Sequence, residues 1–359
     1  KNIVYVACTK SIYSFDLRSE GLVSKSPHGQ VGLSEGGDEV SNLALNAKGD
    51  LLAISMDSGV INLIPVKTNG TFCENTGATR FKRLSRFHTN IVNTITFKKN
   101  NPRELLSGGF DYNACIWDVD RGRPKASTSF SKLPVEEKEG ESEEDNIRQS
   151  LQIVNPAFVM AMDYALGGRC VVAALGDGTV RILNAKDMKH ITAIEAHDCM
   201  ISALSVHDNY IVTGGTDCRV RAYKLVTAES STSKTSDSTG TAAKAGAKKV
   251  GKSLTPHATA LDFDTVHLFT IQHQAKVNAI ACIFEPADAK SSEIVGKADT
   301  VFKMSPCSMS ESMSESIAGA SANSEGVEGG GGGEGVPKTA CRCYVADTTN
   351  LITAYTYVL

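Results

Sequence analysis

The chain has 359 residues, 41% of them hydrophobic, enough to bury a core and too many for a disordered polymer. Lys and Arg number 37 against 40 Asp and Glu, and the net charge of −3 gives no general attraction to nucleic acid or anionic membrane. No apolar run approaches the ~20 residues of a membrane-spanning helix, and no signal-peptide pattern is found at the start.

Residues 3–16 (IVYVACTKSIYSFD) read as the last two strands of a repeat that has no first strand. With Lys1 in place of Met, the chain is expected to be an N-terminally truncated piece. The first complete repeat is 40–66, with strands SNLALN, LLAIS and VINLIPV and a turn at Asp57-Ser58-Gly59. Residues 88–118 (HTNIVNTITFKKNNPRELLSGGFDYNACIWD) hold the clearest unit: three β-type runs, a tight turn at 110–113 and a closing Trp117-Asp118. An acidic stretch, 136–145, reads as a solvated loop. The pattern resumes at 157–184 (FVMAMDY, CVVAA, TVRILN, turning at Gly176-Asp177-Gly178) and again at 201–225. Aligning on Trp117 gives six repeat ends: Phe15, Ile64, Trp117, Leu183, Tyr223 and Tyr355.

Composition then shifts. Residues 227–256, rich in Ser, Thr, Ala, Gly and Lys, are expected to be a disordered linker. Lys244, Lys248, Lys249 and Lys252 within it hint weakly at nuclear import or nucleic-acid contact. Strand pattern returns at 267–284 and breaks at 285–338, a Ser-rich and Gly-rich insertion, before two last strands at 343–346 and 351–357. The expected layout is therefore repeats over 1–226, a linker over 227–256, and a last repeat over 257–359 split by the insertion. The ten cysteines are scattered, and some, such as Cys115 and Cys170, lie inside strands. Cys341-Arg342-Cys343 does not match the usual zinc or redox spacings, so reduced thiols in the cytoplasm or nucleus are expected, with no metal and no cofactor.

Short strands in repeats of this length, closed by Trp-Asp, resemble WD40 repeats, which implies an all-β fold, the β-propeller. By that resemblance His88, Ser107, Asp111 and Trp117 form one buried relay, from Trp ring nitrogen through the Ser hydroxyl to His and Asp. His197, Thr213, Asp217 and Tyr223 are expected to form a second, with Tyr in place of Trp weakening it. A Ser/His/Asp set invites a hydrolase reading, but all three belong to one repeat and no nucleophile-elbow pattern accompanies them. Several stretches look more specifically like the family of WD repeat-containing protein 53. These are residues 4–18 ending in FDLR, EVSNLALN with LLAISMDSGVINLI, 87–118, 152–183 with Asn155-Pro156 where other repeats carry Gly-His, and HQAKVN with YVADTTNLITAY. That family implies seven blades, of which about six are visible here.

The resemblance implies a non-enzymatic scaffold for protein partners. It further suggests a substrate receptor of a cullin–RING ubiquitin ligase, docking on the ligase's propeller adaptor, the damaged-DNA-binding subunit. The docking feature is an aromatic-Asp-x-Arg box, here Phe15-Asp16-Leu17-Arg18, with Asp16 fixing the turn and Arg18 pointing outward. Trp117-Asp118-Val119-Asp120-Arg121 has its Arg one residue too late. The alternative is a chromatin-associated or nucleic-acid-associated protein, supported only by the lysine cluster. The enzyme reading has no metal-ligand spacing or phosphate loop behind it.

Overall fold

A computed structural model describes residues 2–18, 26–33, 38–73, 81–131, 155–227, 263–286, 298–303, 339–347 and 351–358. Strands Ile3–Cys8 (β1), Ser11–Asp16 (β2) and Gly29–Gly32 (β3) form a three-stranded sheet. The second sheet runs Val40–Leu45 (β4), Leu51–Met56 (β5), Ile61–Pro65 (β6) and Lys82–Leu84 (β7). The third is Thr94–Lys98 (β8), Asn101–Gly108 (β9), Asn113–Asp118 (β10) and Arg123–Ser129 (β11). Val159–Ala165 (β12), Cys170–Leu175 (β13), Thr179–Asn184 (β14) and His190–Glu195 (β15) make the fourth. The fifth contains Ile201–His207 (β16), Tyr210–Gly215 (β17), Arg219–Thr227 (β18) and Phe263–Gln272 (β19). The sixth holds Val277–Pro286 (β20), Ala298–Lys303 (β21), Thr339–Asp347 (β22) and Leu351–Val358 (β23) in the spatial order β20-β22-β23-β21. All strand pairings are antiparallel.

Successive sheets pack face to face, with β4 beside β8, β8 beside β12, β12 beside β16 and β16 beside β20. Side chains alternate across a strand, so one strand serves two interfaces. Leu105 joins the apolar cluster shared with the second sheet, and Leu106 the cluster shared with the fourth. Val171 and Val172 divide in the same way between the third and fifth sheets. Ile211 and Val212 divide between the fourth and sixth. With both faces covered, a central strand has no solvent side, and every residue of β13 (CVVAAL) is buried. Such strands read in sequence as continuous apolar runs rather than as alternation. In the first sheet β1 meets β4 as β5 meets β8, so β1 takes the place of a second strand.

Three features depart from the sequence expectation. Each sheet from the second to the fifth has a fourth, outer strand (β7, β11, β15, β19), which the three-strand repeat left out. β11 shows why: its residues RPKASTS are mostly exposed, and an edge strand with polar side chains has no apolar period. Second, Phe263–Gln272 pairs with β18 and closes the fifth sheet, so the last blade starts at β20 and not at 257. Third, the 285–338 insertion contributes β21, which pairs with β23 at the outer edge of the sixth sheet. Its sequence, ADTVFK, carries the β-branched and aromatic residues that favour a strand. The acidic stretch 136–145, the linker from 228 to 256, the four lysines and the rest of the insertion lie outside the described residues.

The turn between second and third strands is built alike in four sheets. One residue holds positive φ: Gly59 at 87°, Tyr112 at 64°, Gly178 at 85° and Cys218 at 61°. The two glycines also sit tight against the loop leading into the next sheet. A Cβ on Gly59 would lie 2.5 Å from the His88 carbonyl oxygen, and one on Gly178 would press on the His197 carbonyl and lie 2.8 Å from that of Cys199. The His197 amide donates to the Gly178 carbonyl at 2.9 Å, locking turn to loop. Gly178→Ala therefore combines a left-handed backbone penalty of ~1–2 kcal/mol with a steric clash. We expect a loss of roughly 2–4 kcal/mol in urea unfolding. A loss within error of zero would mean that this turn does not bear on the next sheet.

Candidate functional site

In the third sheet four side chains make one chain of hydrogen bonds. Trp117 Nε1 donates to Ser107 Oγ at 2.8 Å. Ser107 Oγ lies 2.7 Å from His88 Nε2, and His88 Nδ1 lies 3.1 Å from both oxygens of Asp111. The directions follow from the donor inventory. Indole can only donate, so the Ser107 oxygen accepts, its single proton goes to Nε2, and the Nδ1 proton goes to the carboxylate. Asp111 also accepts from the amides of Thr89 (3.0 Å) and Asn113 (3.1 Å). Burial works to raise its pKa, but the hydrogen bonds from His88 and the two amides leave it below the ordinary carboxylate value. Ser107 is wholly buried and His88 nearly so. A nucleophile needs access, and this hydroxyl is sealed between two partners, so the arrangement is suited to holding the sheet together. Phe87 packs edge-on against both His88 and Trp117.

The fifth sheet repeats three of the four parts. His197 Nε2 lies 2.9 Å from Thr213 Oγ1, and Nδ1 lies 2.9 Å from Asp217 Oδ1. Tyr223 is buried, and its ring packs against His267. Among the described hydrogen bonds none joins Tyr223 to Thr213, whose hydroxyl donates instead to the Arg221 carbonyl at 3.4 Å. Burial lowers the His197 pKa against the opposing pull of Asp217.

The sixth sheet carries a third set that the sequence analysis did not single out. His273 Nδ1 lies 2.7 Å from the Tyr355 hydroxyl, and Nε2 lies 2.8 Å from Asp347 Oδ2. Here the imidazole meets the aromatic residue directly. Strand register puts the apolar Val345 where the middle hydroxyl would be: Tyr355 pairs with Cys343 as Trp117 pairs with Leu105, two residues before Ser107. The same sheet brings Cys282, Cys341 and Cys343 together, with all three sulfurs within 4.8 Å of one another. The hydrogen bond with Cys282, then that with Cys343, draws the Cys341 thiol down, while the other two thiols are pushed up. Alternation along β22 was the available signal: residues 341 and 343 share a face.

These relay geometries sit in the third, fifth and sixth of the antiparallel sheets, and the comparisons with known proteins agree on what they are. The family model for the WD domain, G-beta repeat, matches residues 81–118 and 188–224. The chain contains WD40 repeats. The two matched segments end at the third strands of the two sheets with His-Ser/Thr-Asp relays. The propeller is also similar to the WD repeat-containing protein 53 homolog of Dictyostelium discoideum, 25% identical over 195 residues. That match covers 54% of this chain and 50% of the relative, so the chain spans about half the length of the curated protein it matches.

The Phe15-Arg18 box lies where β2 ends. The Arg18 amide donates to Asp16 Oδ1 at 3.0 Å. The Arg18 guanidinium folds onto the same carboxylate, Nε to Oδ1 at 2.9 Å and Nη2 to Oδ2 at 2.6 Å. Hydrogen bonds from Arg18 hold the Asp16 carboxyl well below the usual carboxylate range. Arg18 is exposed and borders a hollow with Asn2, Tyr5, Lys67 and Asn69. At the later site Arg121 reaches its aspartate less closely, Nε to Asp118 Oδ2 at 3.7 Å.

Two measurements probe the relays. Trp117→Ala should lose roughly 3–5 kcal/mol in urea unfolding, as expected of a large buried aromatic, and His88→Ala roughly 1–3, by leaving Ser107 and Asp111 short of a partner. A Trp117→Ala variant as stable as the parent would refute the structural role. The second measurement is pH dependence. The folded-state pKa of His197 lies below its unfolded value of about 6.5, so the unfolded chain takes up the proton first. This contribution is complete above about pH 6.5 and falls as pH drops toward the folded pKa. His197→Gln should flatten that part of the stability–pH curve, and an unchanged slope would assign it elsewhere.

Proposed function

We propose that this propeller is a protein-interaction platform that acts as a substrate receptor for a cullin–RING ubiquitin ligase, docking through Phe15, Asp16 and Arg18 on the ligase's propeller adaptor. WD repeats here and in the Dictyostelium relative support the platform role. The observation that carries the finer reading is the capped turn: Asp16 binds both the amide and the guanidinium of Arg18 while the arginine stays exposed. Two of the five guanidinium N–H groups face Asp16, and the rest of the fork remains for carbonyl or carboxylate acceptors on a partner. Asp16 limits the rotamers of Arg18 before contact, which reduces the entropy lost on binding. Phe15 pairs with Val4 across the sheet and anchors the turn to the strand.

The test is capture of the adaptor by the full-length protein. Wild type should bind it, and Arg18→Ala should bind roughly ten- to hundred-fold more weakly with an unchanged melting temperature. Asp16→Ala should weaken binding by freeing the turn, and Arg121→Ala should bind like wild type. No capture by wild type, or equal capture by Arg18→Ala, overturns the receptor reading and leaves a scaffold with another partner.

A further inference from the structure

The sixth sheet gathers three thiols on one face. Cys282 lies directly across from Cys343 in the β20–β22 pairing, and Cys341 shares the face two residues along. Their sulfurs are 3.1 Å apart for Cys282–Cys343 and 3.4 Å for Cys341–Cys343. Cys341 and Cys343 are fully buried, and the face they share packs against the fifth sheet. Opposite them, β16 presents alternate residues. Ala203 belongs to the same apolar cluster, and Ser205 and the exposed His207 follow it on the same face of β16 by alternation. The packed interface between the two sheets thus has three sulfurs on one side and an imidazole at its exposed edge.

We propose that Cys282, Cys341 and Cys343, with His207 as fourth ligand, bind a zinc ion between the fifth and sixth sheets. Three thiolates and one imidazole are a standard structural zinc set, and Zn–S bonds of about 2.3 Å around a tetrahedron put sulfurs about 3.8 Å apart. The thiols are a few tenths of an ångström closer than that, so binding requires a small spreading of β20 from β22 and a turn of the exposed His207 ring toward the sulfurs. Each coordinated thiol releases its proton to solvent, and zinc stays divalent throughout. The two parts of the site lie on either side of the insertion: β20 ends at Pro286 and β22 begins at Thr339, with β21 of the same sheet between them in sequence. A metal clip across such a loop removes more freedom from the unfolded chain than one across a short turn.

The experiment uses the full 359-residue chain, purified under reductant with zinc present and then desalted. Wild type should retain about one zinc per chain by elemental analysis, as a closed four-ligand site does. The cobalt-substituted protein should show thiolate-to-metal charge-transfer and tetrahedral d–d bands. Cys343→Ala keeps the buried wall apolar and should lose the metal and the bands while melting cooperatively. Cys341→Ser should lose the metal too, and His207→Ala should bind it more weakly with altered d–d bands. Chelation of wild type should lower its melting temperature toward that of Cys343→Ala. Zinc-free wild type overturns the proposal, as does zinc retained by Cys343→Ala. A Cys282–Cys343 disulfide with no metal in protein kept under reductant also overturns it. Unchanged cobalt bands in His207→Ala overturn the fourth-ligand assignment.

Discussion

Each interior sheet of this protein is covered on both faces, and that constraint decides where polar side chains can go. A central strand between two neighbours offers no solvent side, so a hydroxyl or imidazole there must find its partners inside the protein. Ser107 and Thr213 are wholly buried, and each is bonded to a histidine. The histidine comes from the loop leading into the first strand and the aspartate from the turn between the second and third. One relay therefore ties together the two loops that would otherwise be loosest. The bonds work as a set: removing the histidine strands a buried hydroxyl and a carboxylate at once.

The turn comes before the relay in this scheme. In the third, fourth and fifth sheets an aspartate oxygen accepts the amide two residues on, Asp111 from Asn113, Asp177 from Thr179 and Asp217 from Arg219. The residue between takes the left-handed conformation in each case. What differs is the neighbour. Where His88 or His197 stands on the leading loop, the carboxylate is recruited into a relay. In the fourth sheet the loop carries Asn155-Pro156, whose ring has no donor, and the apolar Ala173 stands in the place of Ser107. That sheet uses Gly178 for the strained position, where the left-handed backbone has no steric penalty. Tyr112 and Cys218 hold it without that freedom, in the sheets where the relay braces the same turn. Loss of the relay and relief of the backbone go together.

This division explains what could be read from the chain. The second and third strands were legible because burial on both faces makes them apolar throughout, as in LLAIS and CVVAA. The relay residues of the third and fifth sheets were legible because all four lie within about 30 residues at fixed offsets, a property of the repeat. The outer strands were not, since β11 and β15 present polar side chains to solvent and have no period to detect. The His273–Asp347 pair was hidden by distance: 74 positions separate its members, with the insertion between them. The thiols were hidden likewise, because Cys282 and Cys343 are 61 positions apart and meet only through strand pairing.

The sixth sheet is the hardest to assemble for the same reason. Its first strand is laid down before the insertion, and its outermost strand, β21, comes before the second and third. In spatial order the chain goes from the inside edge to the outside edge and then fills the middle. Neither β20 nor β21 has a partner in this sheet until β22 and β23 arrive, so the closure entropy of the long connection must be met before any pairing offsets it. Contacts that bridge the connection have the most leverage over this step. They are the His273 bonds to Asp347 and Tyr355, the register of β20 on β22, and the three thiols that this register brings together. Sheets two to five need no such bridges, since hairpins from one strand to the next build most of each. The polar and sulfur-bearing residues of the sixth sheet therefore sit where local sequence gives the least help to folding.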